Sequence, residues 1–166
     1  MRIAAASIGL LLNGCNQAEP PTPRAPQPKI DLVGFFTGKS KGQGEIDILF
    51  QSPQPLRVAS VGRPDGRGGI VIDQAIKEGA KPPRTRRWRM RCSETRCGGT
   101  LSDASGPVAV HLAGNTAHLR YTMHNGFAVE QWLALQADRR TIANRLRVSK
   151  WGVPVACVDE TIAKRP

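Results

Sequence analysis

The stretch Val108-Ala109-Val110-His111-Leu112-Ala113-Gly114-Asn115-Thr116-Ala117-His118-Leu119-Arg120-Tyr121 decides the fold. Gly114-Asn115 suits a two-residue hairpin turn in which both positions take positive φ. With that turn, Leu112 faces Ala117, Val110 faces Leu119 and Val108 faces Tyr121, all on one side. His111 opposite His118 and Ala109 opposite Arg120 fall on the other. Side chains alternate with period two along a strand, so agreement of both arms on one apolar face fixes the register of a β-hairpin.

The same grammar extends in both directions from Ile30 to the end of the chain. Strands are expected at Glu45–Phe50, Leu56–Val61, Ile70–Ile76, Thr85–Cys92, Val108–Leu112, Ala117–His124, Phe127–Leu135, Thr141–Ser149 and Val153–Ile162. Turn residues separate them: Ser52-Pro53, Asp65-Gly66, Glu78-Gly79, Gly98-Gly99, Gly114-Asn115 and Asn125-Gly126. No segment carries a convincing helical repeat. The expectation is an all-β antiparallel meander, which closes most economically into a barrel because closure removes exposed edges.

The hairpin after Tyr121 is less regular. With Asn125-Gly126 as its loop, Tyr121 is set against Glu130 and Leu119 against Trp132. A turn at Asp138-Arg139 then sets Glu130 against Arg147 and Trp132 against Arg145. The opposite face carries Val129, Leu133, Leu135, Ile142, Leu146 and Val148, so the apolar face changes sides. Either a bulge near Ala128 restores the alternation, or Glu130, Trp132, Arg145 and Arg147 face a lumen. On the second alternative Tyr121, Glu130, Trp132, Arg145 and Arg147 are candidate ligand-binding residues, with Phe127 and Leu133 beside them.

The N-terminus reads as a targeting segment. Met1-Arg2 is positively charged, and Ile3 to Leu12 is apolar but shorter than the roughly 20 residues a spanning helix needs. Leu12-Asn13-Gly14-Cys15 resembles the lipobox of bacterial lipoproteins, which implies cleavage after residue 14 and lipidation of Cys15. More than one acyl chain gives stable anchoring. Asn16, rather than an acid, leans toward the outer membrane. Residues 18–29 hold five prolines and favour extended polyproline II, a tether of about 30 Å. The organisation is thus a signal peptide over 1–14, a lipidated cysteine and linker over 15–29, and a β-barrel domain over 30–166.

The chain of 166 residues carries a net charge of +11. Such a surface attracts anionic partners, phospholipid headgroups and lipopolysaccharide among them. Aromatic residues make up 5%, too few for a base-stacking platform, and nucleic acid is a poor partner for an exported domain. Arg87, Arg89 and Arg91 share one face of a strand and form a candidate contact for anionic lipid or lipopolysaccharide; the competing reading is a solvated strand face. An oxidising envelope permits disulfides. Cys92 and Cys97 flank a four-residue loop and are the candidate pair, worth about 2 kcal/mol; Cys157 is then expected as a buried free thiol, with pairing to Cys92 or Cys97 as the alternative. His111 and His118 form a solvated pair without a third metal ligand, and His124 falls in a turn. No nucleophile elbow, zincin or phosphate-loop motif is present. No catalytic residue, metal or cofactor is expected.

Four stretches resemble a family of bacterial lipoproteins known only as a domain of unknown function (DUF3833). They are Phe35-Phe36-Thr37-Gly38 with Gly42-Gln43-Gly44; Arg86-Arg87-Trp88; Ala113-Gly114-Asn115-Thr116; and Asn144 to Val153. The family's Asp-Asp-Trp falls on Glu130-Gln131-Trp132, where Gln131 replaces the second acid. The resemblance covers most of residues 34–162. It implies a small lipocalin-like barrel on a lipid anchor in the cell envelope, facing the periplasm, and it supplies no activity. Two functions follow as expectations: a carrier of a small apolar or lipid-like ligand, or a structural module whose basic strand meets an anionic surface.

Overall fold

The computed structural model describes residues 22–93 and 96–166. The lipobox and Cys15 lie outside the described residues. A short helix, α1 (Leu32–Phe36), precedes ten strands: β1 (Gly38–Ile48), β2 (Gln54–Pro64), β3 (Gly69–Glu78), β4 (Arg84–Cys92), β5 (Cys97–Leu101), β6 (Val108–Ala113), β7 (Thr116–Thr122), β8 (Ala128–Leu135), β9 (Thr141–Lys150) and β10 (Val153–Lys164). Each strand pairs antiparallel with its successor, and β1 pairs with β10, so the meander closes into a barrel. No edge is left to pair with another chain.

The hairpin at 108–121 forms in the expected register, with His111 opposite His118 and Leu112 opposite Ala117. Only Gly114 of its turn has positive φ, so Asn115 is free to bond elsewhere. The next hairpin is shifted by one residue. Met123 and Phe127 close it through a backbone bond of 2.8 Å, leaving three loop residues with Gly126 in the left-handed region. Three-residue loops of this kind are common hairpin closures. Tyr121 therefore meets Val129, not Glu130, and Leu119 meets Gln131, not Trp132. The apolar face never changes sides, and no bulge near Ala128 is needed. Glu130 still faces Arg147, and Trp132 still faces Arg145, as read from the sequence.

Two elements escape the pattern. Gly98-Gly99, read as a turn, lies inside β5; a Cβ at Gly99 would sit 2.1 Å from the Arg89 carbonyl oxygen, so the backbones meet too closely for any other residue. Helix α1 is capped by Asp31, whose side chain accepts from the Gly34 amide at 2.9 Å. Its residues Leu32, Phe35 and Phe36 are buried and stopper the end of the barrel where β1 begins.

The proline-rich linker is not free throughout its length. Asn115 accepts from the Ala25 amide through Oδ1 at 2.7 Å, and its own amide donates to the Ala25 carbonyl. Gln136 donates to the Thr22 hydroxyl at 3.2 Å. Residues 22–29 are thus docked at the closed end. The expected tether shortens to the residues before Thr22.

Candidate functional site

Alternation sorts every strand residue to one wall or the other, and the inner wall is not uniformly apolar. Ser60 and Gln74, Arg86 and Trp88, Gln131, Asn144 and Glu160 are in phase with the buried Leu, Ile and Val side chains around them. They join in a belt across the barrel. Gln74 donates to Ser60 Oγ at 3.0 Å. It accepts at Oε1 from Arg86 Nε at 2.7 Å and from Trp88 Nε1 at 2.8 Å. On the other side Gln131 donates to Asn144 Oδ1 at 3.0 Å, and Asn144 donates to Glu160 Oε2 at 2.7 Å.

The belt separates two chambers that share Arg86, Asn144 and Glu160 as walls. The chamber toward α1 holds about 30 Å³ beneath Leu32 and Phe36. The chamber toward the other end holds about 180 Å³ and is lined by Ile46, Leu56, Val58, Leu146, Val158 and further apolar side chains. Its mouth is marked by Glu78, Arg84 and Asp103, where Arg84 pairs with both acids at 2.8 and 3.1 Å. A dry cavity of about 150 Å³ accepts a benzene-sized molecule, so the interior has room for a small apolar group.

The electrostatics of the belt are asymmetric. Burial pushes the Glu160 carboxyl up, toward its neutral form, against the opposing pulls of Asn144 and Arg86. Glu160 Oε1 and Gln131 Oε1 are buried without a hydrogen-bond partner, which is costly unless something else satisfies them. Space for Glu160 comes from Gly42: a Cβ there would sit 1.6 Å from Glu160 Oε1. Arg86 lies 5.5 Å from the Trp88 ring centroid, and its charge partly offsets the upward push of burial on the Tyr121 phenol.

The residues singled out from the sequence fall on both walls. Tyr121 is inside and edge-on to Trp88 at 5.7 Å. Glu130, Trp132, Arg145 and Arg147 are outside, a correction to the lumen reading that follows from the one-residue register shift. There Arg147 pairs with Glu130 and lies over the Trp132 ring. Trp132 stacks on His118 at 4.9 Å, and Arg145 pairs with Asp159 at 2.7 Å. Burial is the first cause of a lowered His118 pKa. Both arginines of this outer patch rest on acids, while His118 Nε2 is buried without a hydrogen-bond partner. Phe127 sits at the open rim under Lys150.

Arg87, Arg89 and Arg91 are exposed on the outer face of β4. Arg87 is bonded to Asp73 at 2.5 Å and Arg91 to Asp65 at 3.0 Å, so two of the three charges are locally neutralised. Cys92 and Cys97 form a disulfide between β4 and β5. Cys157, expected as a buried free thiol, is half-buried on the outer face of β10, and no described cysteine is free. Among the described residues no three His, Cys, Asp or Glu side chains group as metal ligands.

The belt residues Gln74, Arg86, Gln131, Asn144 and Glu160 were not singled out from the sequence. Their signal is phase. Arg86 alternates with Trp88 and Met90, and Glu160 with Val158 and Ile162. The resemblance stretches gain a physical meaning here: Gly42, Arg86, Trp88, Gln131 and Asn144 all meet at the belt.

A family model described as a protein of unknown function (DUF3833) matches residues 9–164. No curated protein matches the chain. Among solved structures, a protein of unknown function from the DUF3598 family of Nostoc punctiforme superposes with a TM-score of 0.65 at 14% identity. That match covers 86% of this chain and 51% of the other, so the chain spans about half the length of that protein. At this identity the likeness is one of fold.

Proposed function

The chain belongs to the DUF3833 family of proteins of unknown function, and on that premise we propose that it is a lipid-anchored, non-catalytic protein of the cell envelope that holds a small apolar or lipid-like molecule inside its barrel. The observation that carries this reading is a chamber of about 180 Å³ floored by a polar belt with two buried, unpartnered oxygens. An apolar lining with a few converging polar groups is the ordinary makeup of a small-molecule site. The apolar part of the ligand occupies the chamber below the mouth, and its polar end meets the belt. Cys15 carries the anchor, by the lipobox resemblance, at the outer membrane facing the periplasm. Residues 22–29 are docked at the closed end, so the anchor attaches from that side. The mouth is then turned away from the anchoring membrane.

The competing reading, a structural module using β4 as an anionic contact, is weakened by the carboxylates that already hold Arg87 and Arg91. Native mass spectrometry of the full chain, purified from membranes in mild detergent, tests both halves of the proposal. The expected spectrum shows an acylated mature chain plus a non-covalent adduct. The adduct disappears in the chamber-filling variant Leu146→Trp. A bare chain, or an adduct untouched by Leu146→Trp, rejects the interior site, and an unacylated mass with the leader intact rejects the anchor.

A further inference from the structure

Arg86 is the interior feature that ligand-free packing does not account for. It projects from the inner wall of β4 and borders both chambers. Its Nε is used by Gln74, which leaves donors of its five N–H groups uncommitted. Among the described residues no carboxylate lies within ion-pair distance of it; Glu160 borders the same chambers and is bonded to Asn144 instead. A guanidinium inside a barrel is normally paired, because desolvating a lone charge is expensive. The outer surface shows the contrast, with Arg87, Arg91 and Arg147 all resting on acids.

We propose that the ligand carries a carboxylate head, received by Arg86 at the belt with Glu160 opposite it. This rests on the interior site proposed above and adds its chemistry. A planar carboxylate matches the guanidinium fork. Glu160, 9% exposed, borders the chamber beneath α1, and its unpartnered Oε1 is the atom that a shared proton would satisfy. That chamber's 30 Å³ exceeds what a single water needs and gives room for a small polar head. Burial biases Glu160 toward the protonated form, so one proton shared between Glu160 and the ligand's carboxylate leaves a single negative charge facing Arg86. The charged or titratable groups bordering the chambers are Arg86 on β4, Tyr121 on β7, and Glu78, Arg84 and Asp103 at the mouth.

The test is isothermal titration of the full chain, stripped of bound ligand, with octanoate, octanol and octyl phosphate. Octanoate is expected to bind roughly tenfold or more tighter than octanol, the worth of a charge-assisted hydrogen bond, and octyl phosphate more weakly than octanoate. Arg86→Gln removes the octanoate advantage and leaves octanol binding in place. Glu160→Gln keeps octanoate binding but flattens its pH dependence. Equal binding of octanoate and octanol by the unsubstituted protein overturns the proposal even where Arg86→Gln fails to fold. Tightest binding of octyl phosphate overturns it in favour of a phosphate head. Failure of all three probes to bind instead overturns the interior site itself.

Discussion

At the scale of single residues, the belt depends on side chains that are absent as much as on those present. Gly42 leaves the volume that Glu160 occupies. Gly42→Ala is therefore expected to displace Glu160 and cost about 1–3 kcal/mol, as overpacking does, measured by urea unfolding. Glu160→Gln keeps the shape and removes the charge. An acid whose folded-state pKa is raised contributes stability that is complete below its unfolded value, near 4.5, and that is lost as pH rises through the higher folded value. The unsubstituted protein should lose stability across that window, and Glu160→Gln should not. Asp65 has the opposite sign. Backbone amides of Arg67 and Gly69, and then Arg91, hold its carboxyl down to about 2. Its contribution is present above 3.8 and lost as pH falls toward 2, so Asp65→Asn should make the acid side of the stability profile shallower.

At the scale of elements, the turns set what the strands present. Trp151-Gly152 closes the β9–β10 hairpin with both residues at positive φ, in a turn where Asn or Gly normally occupies the first position. Trp151 is 93% exposed there, as is Phe50 on the neighbouring β1–β2 turn, also at positive φ. A bulky side chain in the left-handed region costs of order 1 kcal/mol. Trp151→Asn should therefore raise the urea midpoint by about that much without changing its slope. At the other end of the barrel, Cys92 and Cys97 tie β5 to β4. The double Ser variant should lose about 2 kcal/mol.

The sequence made the hairpin at 108–121 and the Glu130–Arg147 and Trp132–Arg145 pairings legible, because alternation there coincides with short turns. It hid β5, whose glycines mimic a turn, and the first half of β1, where Gly42 and Gly44 replace the expected side chains. A two-residue loop before β8 puts the outer patch in the lumen, whereas the actual loop has three residues. One residue of register moved four side chains to the opposite wall. The true belt was legible only as polar residues in phase with apolar ones, a signal that becomes decisive once the barrel is known to close.

At the scale of the whole molecule, the barrel has two unlike ends. One is stoppered by α1 and clasps the linker through Asn115. The other is open, carries exposed Leu49, Phe50, Trp151 and Val153 at its β1–β2 and β9–β10 turns, and leads to the larger chamber. In the function proposed above, ligand enters at the open end and the anchor attaches from the closed one. The most direct test of the account is a crystal structure of the protein soaked with octanoate. The predicted density places the carboxylate against Arg86 with the chain running toward the mouth between Leu56, Val58 and Leu146. An interior filled only by protein atoms, or octanoate held on the outer Glu130–Arg147 patch, would contradict it.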